Sequence, residues 1–322
     1  MKKGWICILI ALGLLVLASL HIEKKTEKIE ENRPTFEQQL GVQKKRSLMD
    51  VTLYFRFADT DVLGACSAQL DMRREETVAS SIVRRLIDGP DVAHDRLRGL
   101  FPQGTEVVNV DSEGDTAFVT LTRAFLGRPD GAPLDWEDST YWQEEAALRR
   151  RMAFQSIVLA LTEDGRFQRV QLYLADSDDD LSQRIPVYYF DPREENPNVL
   201  LAACARDEEA MLTPRRATKM ALACWQKKDW EGLYPLLQRD DALTLSAFEA
   251  QMREMDVTLL DYSVTAGTVS LDGQSATVVV DAAIRSELGG DAKIQRESVQ
   301  LIREADNWAI SLDELMDLMI RD

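Results

Sequence analysis

Histidine is almost missing from this chain: His21 and His94 are the only two. A zinc centre needs converging His, Cys or carboxylate ligands, and the four cysteines (Cys7, Cys66, Cys204, Cys224) show no CxxC spacing. There is no Gly-x-Ser-x-Gly elbow and no glycine-rich phosphate loop, and neither histidine stands convincingly near a serine or cysteine. No residue is assigned a catalytic, cofactor-binding or metal-binding role, and no cofactor is expected. The sequence thus carries no motif for a zinc centre, a nucleophilic triad or a phosphate loop.

Basic residues are also short, 38 against 55 acids, for a net charge of −17. The deficit is uneven. Residues 1–50 hold nine Lys/Arg and six Asp/Glu, and the remainder holds 29 and 49. So acidic a body repels nucleic acid and anionic lipid, and no nucleic-acid partner is expected. With this many acids, carboxylate pairs at glycosidase spacing arise by chance and carry no information. "DSDDD" at 176–180 lacks the glycine turn and downstream Glu of a calcium loop, so it reads as a solvated acidic loop. Cys7 lies in an apolar run, leaving three cysteines, so no disulfide framework is indicated. A Cys204–Cys224 bridge stays open beside free thiols at Cys66, Cys204 and Cys224, with Cys224 on an apolar helical stripe.

Long apolar runs number one. Lys2 and Lys3 precede an uncharged stretch from Gly4 to Leu20, with Trp5 near its start. Its length fits a short membrane span or the core of a signal peptide. Residues 1–22 are read as a signal anchor with the body outside the cytoplasm, cleavage after Ala18 being the alternative. Residues 23–49 are charged and poor in large apolar side chains, as in a solvated stalk or short helix.

A first domain, 50–192, follows. "VTLYFRF" alternates Val51, Leu53, Phe55 and Phe57 with Thr52, Tyr54 and Arg56, as in a strand with one buried face. Val78, Ile82 and Leu86 at a spacing of four make an amphipathic helix stopped by Gly89-Pro90. A hairpin turns at 112–115, and a polar loop, "GRPDGAPLDWEDSTYW", comes next. A helix from Gln143 to Thr162 buries Ala146, Ala153, Ile157 and Leu161. "RVQLYL" is a strand, and "IPVYYF" an edge strand. The order is β-α-β-β-α-β, one sheet with two helices on one face. Arg149-Arg150-Arg151 and Arg215-Arg216 read as exposed helix faces, Glu145 pairing with Arg149.

Residues 193–210 are a linker. In 211–322, Thr213 and Pro214 open a helix as N-cap and first helical residue. Ala217, Met220, Ala221, Cys224 and Trp225 form its apolar face. A second helix, "LSAFEAQMREM", then leads into strands with turns at Asp272-Gly273 and Gly289-Gly290, and a short helix ends the chain. The fold class is α+β, with a curved antiparallel sheet in the second domain.

The pieces "VTLYF", "VRRLIDGP", "LFPQGTEVVNVDSEGDTAFVTLT" and "FQSIVLALTEDGRFQRVQLYL" resemble, in order, the GerMN (sporulation and spore germination) family. "LGACSAQLDM", where the family's second strand usually carries a basic residue, departs from that pattern, as does "ADSDDD" after the last strand. Residues 211–322 look like nuclear-transport-factor-two-like cone folds, through Trp225, Asp229-Trp230 and "DNWAISL". The resemblance implies an envelope-associated, sporulation-type scaffold of the kind that builds rings, a binding or assembly module rather than an enzyme. Its partners would be the membrane, through the N-terminal helix, and envelope proteins, with self-association as an extrapolation. The alternative is a small-ligand-binding or isomerase-like protein with a pocket in the C-terminal domain. For it Asp261, Tyr262 and Asp281 are the candidates, with solvent-facing or rim positions as the plainer reading. Trp225, Trp230 and Trp308 are read as core.

Overall fold

The computed structural model describes residues 48–320 except 71, 73–75, 178–179, 241, 256, 266 and 287–289, and only the backbone of 286, 291–293, 295, 319 and 320. The expected anchor (1–22), the stalk up to Ser47, Asp178, Asp179 and Gly289 therefore lie outside the described residues. Among the described residues no helix is long and apolar enough to cross a membrane.

The first part of the chain contributes β1 (Met49–Phe57), β2 (Leu63–Leu70), α1 (Val78–Asp88), β3 (Leu97–Arg98), β4 (Val107–Glu113), β5 (Thr116–Leu121), α2 (Thr140–Thr162), β6 (Arg169–Leu174), β7 (Gln183–Arg184) and β8 (Cys204–Ala205). Thr77 caps α1, its hydroxyl accepting from Ser80 N at 3.1 Å. Gly89 ends the helix at φ +88°, a left-handed conformation that costs glycine little.

The expected single sheet is corrected. β2, formed by the atypical "LGACSAQL", pairs with β1 along its whole length, and β2-β1-β3 make a sheet of their own. β4, β5, β6 and β7 make a second sheet, with β5 and β6 parallel and β8 on the start of β6. α2 packs on both β1 and β6. Its stretch Met152–Thr162 is buried on every side except at Gln155. A helix that is apolar all round needs a layer on each flank.

β1 is corrected for the same reason: both of its faces are covered. Leu53, Phe55 and Phe57 are buried, and so are Tyr54 and Arg56, which bond to α2 and the residue after it. Ser156 Oγ, also buried, donates to Tyr54 O at 2.5 Å. "IPVYYF" is not a strand. Pro186 makes one isolated bridge to Leu200, and Val187–Tyr189 form a 3-10 turn. Proline has no N–H for a ladder.

The arginine run is not a uniform exposed face. Arg149 pairs with Glu145 as expected, but Arg150 is only 7% exposed. It donates to Leu126 O and Tyr189 O and lies 5.7 Å from the rings of both Trp136 and Tyr189. The polar loop is thereby held against α2.

The remaining elements are α3 (Pro214–Lys227), α4 (Trp230–Leu233), α5 (Leu245–Glu254), β9 (Val257–Val264), β10 (Thr268–Val269), β11 (Ser275–Ser286), β12 (Gly290–Glu304), β13 (Asn307–Ile310) and α6 (Leu312–Ile320). Thr213 caps α3 with Pro214 at its start, as expected. The sheet runs β10-β11-β12-β13, with β9 on the other half of β11. A register shift between Val280 and Ala282 bends β11, giving the expected curved antiparallel sheet. Trp225, Leu222, Phe248, Val278, Val280 and Leu301 fill the space between helices and sheet. Each fully buried large apolar side chain contributes about 1.5–3 kcal/mol.

Glu145 joins Arg56 at 2.5 Å and Arg149 at 2.7 Å. Burial alone raises its pKa, but the hydrogen bonds from the two guanidiniums prevail and hold the carboxyl below its usual 4.5. The unfolded chain then takes up this proton first as pH falls. The stabilisation is thus full above about pH 4.5 and is lost on acidification through the lower folded value. Glu145→Gln is expected to lower the urea midpoint at pH 7 and to flatten its decline below pH 4.5. Parallel pH profiles for the two proteins contradict this assignment.

Candidate functional site

β2 is an edge strand, and its outer edge is where the two parts of the chain meet. Leu63 O accepts from Leu212 N at 2.9 Å. Ala65 O accepts from Asn307 Nδ2 at 3.1 Å, and Ser67 N donates to Asp306 Oδ2 at 2.7 Å. The last two caps come from the tip of the β12–β13 hairpin. There Ala305 and Asp306 both have positive φ, +46° and +69°, as a tight two-residue hairpin turn requires.

Gly64 permits this approach. A Cβ at Gly64 lies 2.5 Å from Asn307 Oδ1 and 2.7 Å from Leu97 Cδ2. Around the joint, Arg96 meets Glu304 at 3.0 Å, Arg239 meets Asp95 at 2.5 Å and Arg216 meets Asp61 at 3.4 Å. Exposed pairs of this kind contribute about 0–1 kcal/mol each. The backbone caps and the excluded side chain fix the register.

The linker is held as well. Arg206 meets Glu163 Oε2 at 2.8 Å, and Tyr54 donates to the same oxygen at 2.7 Å. Burial first, and then the Glu163 carboxylate, push the Tyr54 hydroxyl up to about 12. Glu163 is thus a structural anchor.

Beside the joint opens a cleft of about 800 Å³, lined among others by Asp59, Asp95, Arg96, Asp229, Glu231 and Arg239. Cys224 also reaches it, but burial pushes this thiol up to about 11, so it is not a thiolate at neutral pH.

A family model described as "Germane: Sporulation and spore germination" matches residues 52–180. The chain carries a Germane domain. No curated protein matches the chain. Among solved structures, the tandem GerMN domains of the sporulation protein GerM from Bacillus subtilis share 20% identity over 42% of this chain, with a TM-score of 0.28. This chain spans 46% of that tandem structure. The first GerMN domain of the same protein matches at 17% identity over 40% of this chain and 84% of its own length, TM-score 0.28. A SEC-C motif containing protein from Rhodopseudomonas palustris matches at 19% identity over 31% of this chain and 76% of its own, TM-score 0.26.

Leu212, Asp306 and Asn307, which cap β2, all lie outside the Germane domain. They bind the one strand, "LGACSAQL", that departs from the GerMN pattern. That departure, together with a glycine inside a strand, was the available signal for the joint.

Of the other residues singled out from sequence, Asp261, Tyr262 and Asp281 are neighbours on the β9–β11 ladder, where Asp281 faces Ser263 and Tyr262 faces Ala282. Asp261 is exposed on β9 and accepts from Tyr262 N at 2.9 Å. The Tyr262 hydroxyl is 3.4 Å from Lys219 O, and burial raises its pKa. Asp281 accepts from Arg296 N at 2.9 Å, with Ser263 Oγ at 3.5 Å. None of the three lines the cleft. Trp225 and Trp308 are core, and Trp230 packs edge-on to Trp225 at 5.8 Å. Cys66, Cys204 and Cys224 are free thiols. Among the described residues no group of His, Cys, Asp or Glu converges as a metal site. Asp164 caps Arg166 N, Asp176 pairs with Arg123, and Asp180 accepts from Ser177.

Gly64→Ala is expected to cost about 1–3 kcal/mol by overpacking. Adding Asn307→Ala removes one clash, so the double variant loses less than the sum of the singles. Strict additivity in urea denaturation rules out the contact.

Proposed function

We propose that the protein is a membrane-anchored, extracytoplasmic, non-enzymatic scaffold acting in sporulation, germination or envelope assembly. The Germane match carries the biological setting, and the apolar segment at residues 4–20 carries the anchor. The observation behind the assembly role is that Asp261, Tyr262 and Asp281, though neighbours on the β9–β11 ladder, do not line the large cleft. That cleft lies at the joint, and its Arg96 and Arg239 already hold carboxylates. A nuclear-transport-factor-two-like origin for residues 211–322 agrees with helices on a curved antiparallel sheet. Its partners are envelope proteins recognised through sheet edges and helix faces.

Cell fractionation with external protease tests this reading. The full chain is expected in the membrane fraction and open to protease from outside. Cells expressing the chain without residues 1–22 retain it in the soluble cytoplasmic fraction. Crosslinking of the full chain is expected to recover envelope proteins. A full chain that stays soluble inside the cell overturns the anchored role. Failure to crosslink any envelope protein overturns the scaffold role.

A further inference from the structure

The parity of the β1–β2 ladder says where each backbone group points. Ser67 N–H and the Ala65 carbonyl face away from β1. Their β1 partners, Thr52 and Tyr54, are therefore in pairs whose own N–H and C=O groups face the opposite edge. On that edge β3 pairs only with Arg56 and Phe57, and Ser156 takes the Tyr54 carbonyl. Asp50 and Thr52 come next in the same parity. Among the described residues nothing bonds to their outward backbone groups.

A groove of about 240 Å³ lies beside this open stretch, between the start of α1 and the end of α2. Val51, Val78, Ile82, Ala160, Leu161 and Phe167 supply its apolar lining. Its charged residues are Asp50, Glu163 and Asp164 against Arg166 alone. Among the described residues an unpaired strand edge and an apolar groove thus coincide, which is the geometry of strand addition: main-chain bonds give affinity and a groove takes alternate side chains.

We propose that β1 around Asp50 and Thr52 receives an extended segment of a partner protein, apolar at alternate positions and carrying Lys or Arg between them. Charge selects this occupant. Residues 51–322 hold 49 acids against 29 basic residues, so a second copy brings like charge to an acidic rim. The inference rests on the assembly reading above and specifies the surface that reading uses.

The test presents the full chain, in detergent, to a display library of short random peptides. Enriched sequences are expected to alternate apolar with Lys or Arg residues. Thr52→Pro removes an outward N–H that the β2 ladder does not use, and should weaken the enriched peptides about tenfold or more. Val78→Lys puts a charge in the groove and should weaken them similarly. N-methylation of the peptide at alternate residues should abolish binding, a readout that needs no variant of the protein. No enrichment, acidic winners, or winners indifferent to Val78→Lys and to N-methylation overturn the proposal. So does self-association of the chain that Val78→Lys abolishes, because the occupant is then a second copy. Envelope crosslinks that survive such a result leave the scaffold reading standing and reject this surface alone.

Discussion

The Ser67 N–H and the carbonyls of Leu63 and Ala65 would lie bare along one edge of β2 if the Germane domain stood alone. A bare edge is unsatisfied and prone to pair with other chains. Here an aspartate, an asparagine and the Leu212 amide take the place of a neighbouring strand. Neutral bonds of this kind net about 0.5–1.5 kcal/mol, and the carboxylate bond from Asp306 about 1.5–3. Much else follows from this joint: Gly64 must lack a side chain, the β12–β13 turn must tolerate positive φ, and residues from Leu48 onward cluster as one compact unit.

Local elements were legible in the sequence wherever one side of the element meets water. α1, α3, α5 and the strands of the curved sheet alternate or repeat clearly, and Thr213-Pro214 marked its helix start. The reading failed where both sides are covered. Tyr54 and Arg56 look solvent-facing by alternation, yet α2 buries them. "MAFQSIVLALT" has no polar side, and that was the missed sign of a helix between two sheets. β2 was hard to see because Gly64, Ala65 and Ser67 carry little side chain, and their smallness serves close approach by the other half. A joint made of residues some 240 apart in sequence has no local pattern to read.

The acids flanking β6 are distributed over structural tasks. Glu163 ties the linker to Tyr54, Asp164 shapes a turn, and Asp176 pairs with Arg123. Burial likewise raises the Cys66 and Cys224 thiols to about 11, away from reactivity. What remains distinctive is the contrast between the two edges of the β1–β2 pair. One is capped by the chain itself, and the other, among the described residues, is open beside an apolar groove.

Native-state hydrogen exchange at the Ser67 amide tests the central claim most directly. If the hairpin tip caps β2, this amide exchanges only by large-scale opening, with protection close to that of the Leu53 and Val170 core amides. Asp306→Ala should then speed exchange at Ser67 while leaving those core amides slow. Rapid exchange at Ser67 in the unmodified protein, beside a protected core, contradicts the account.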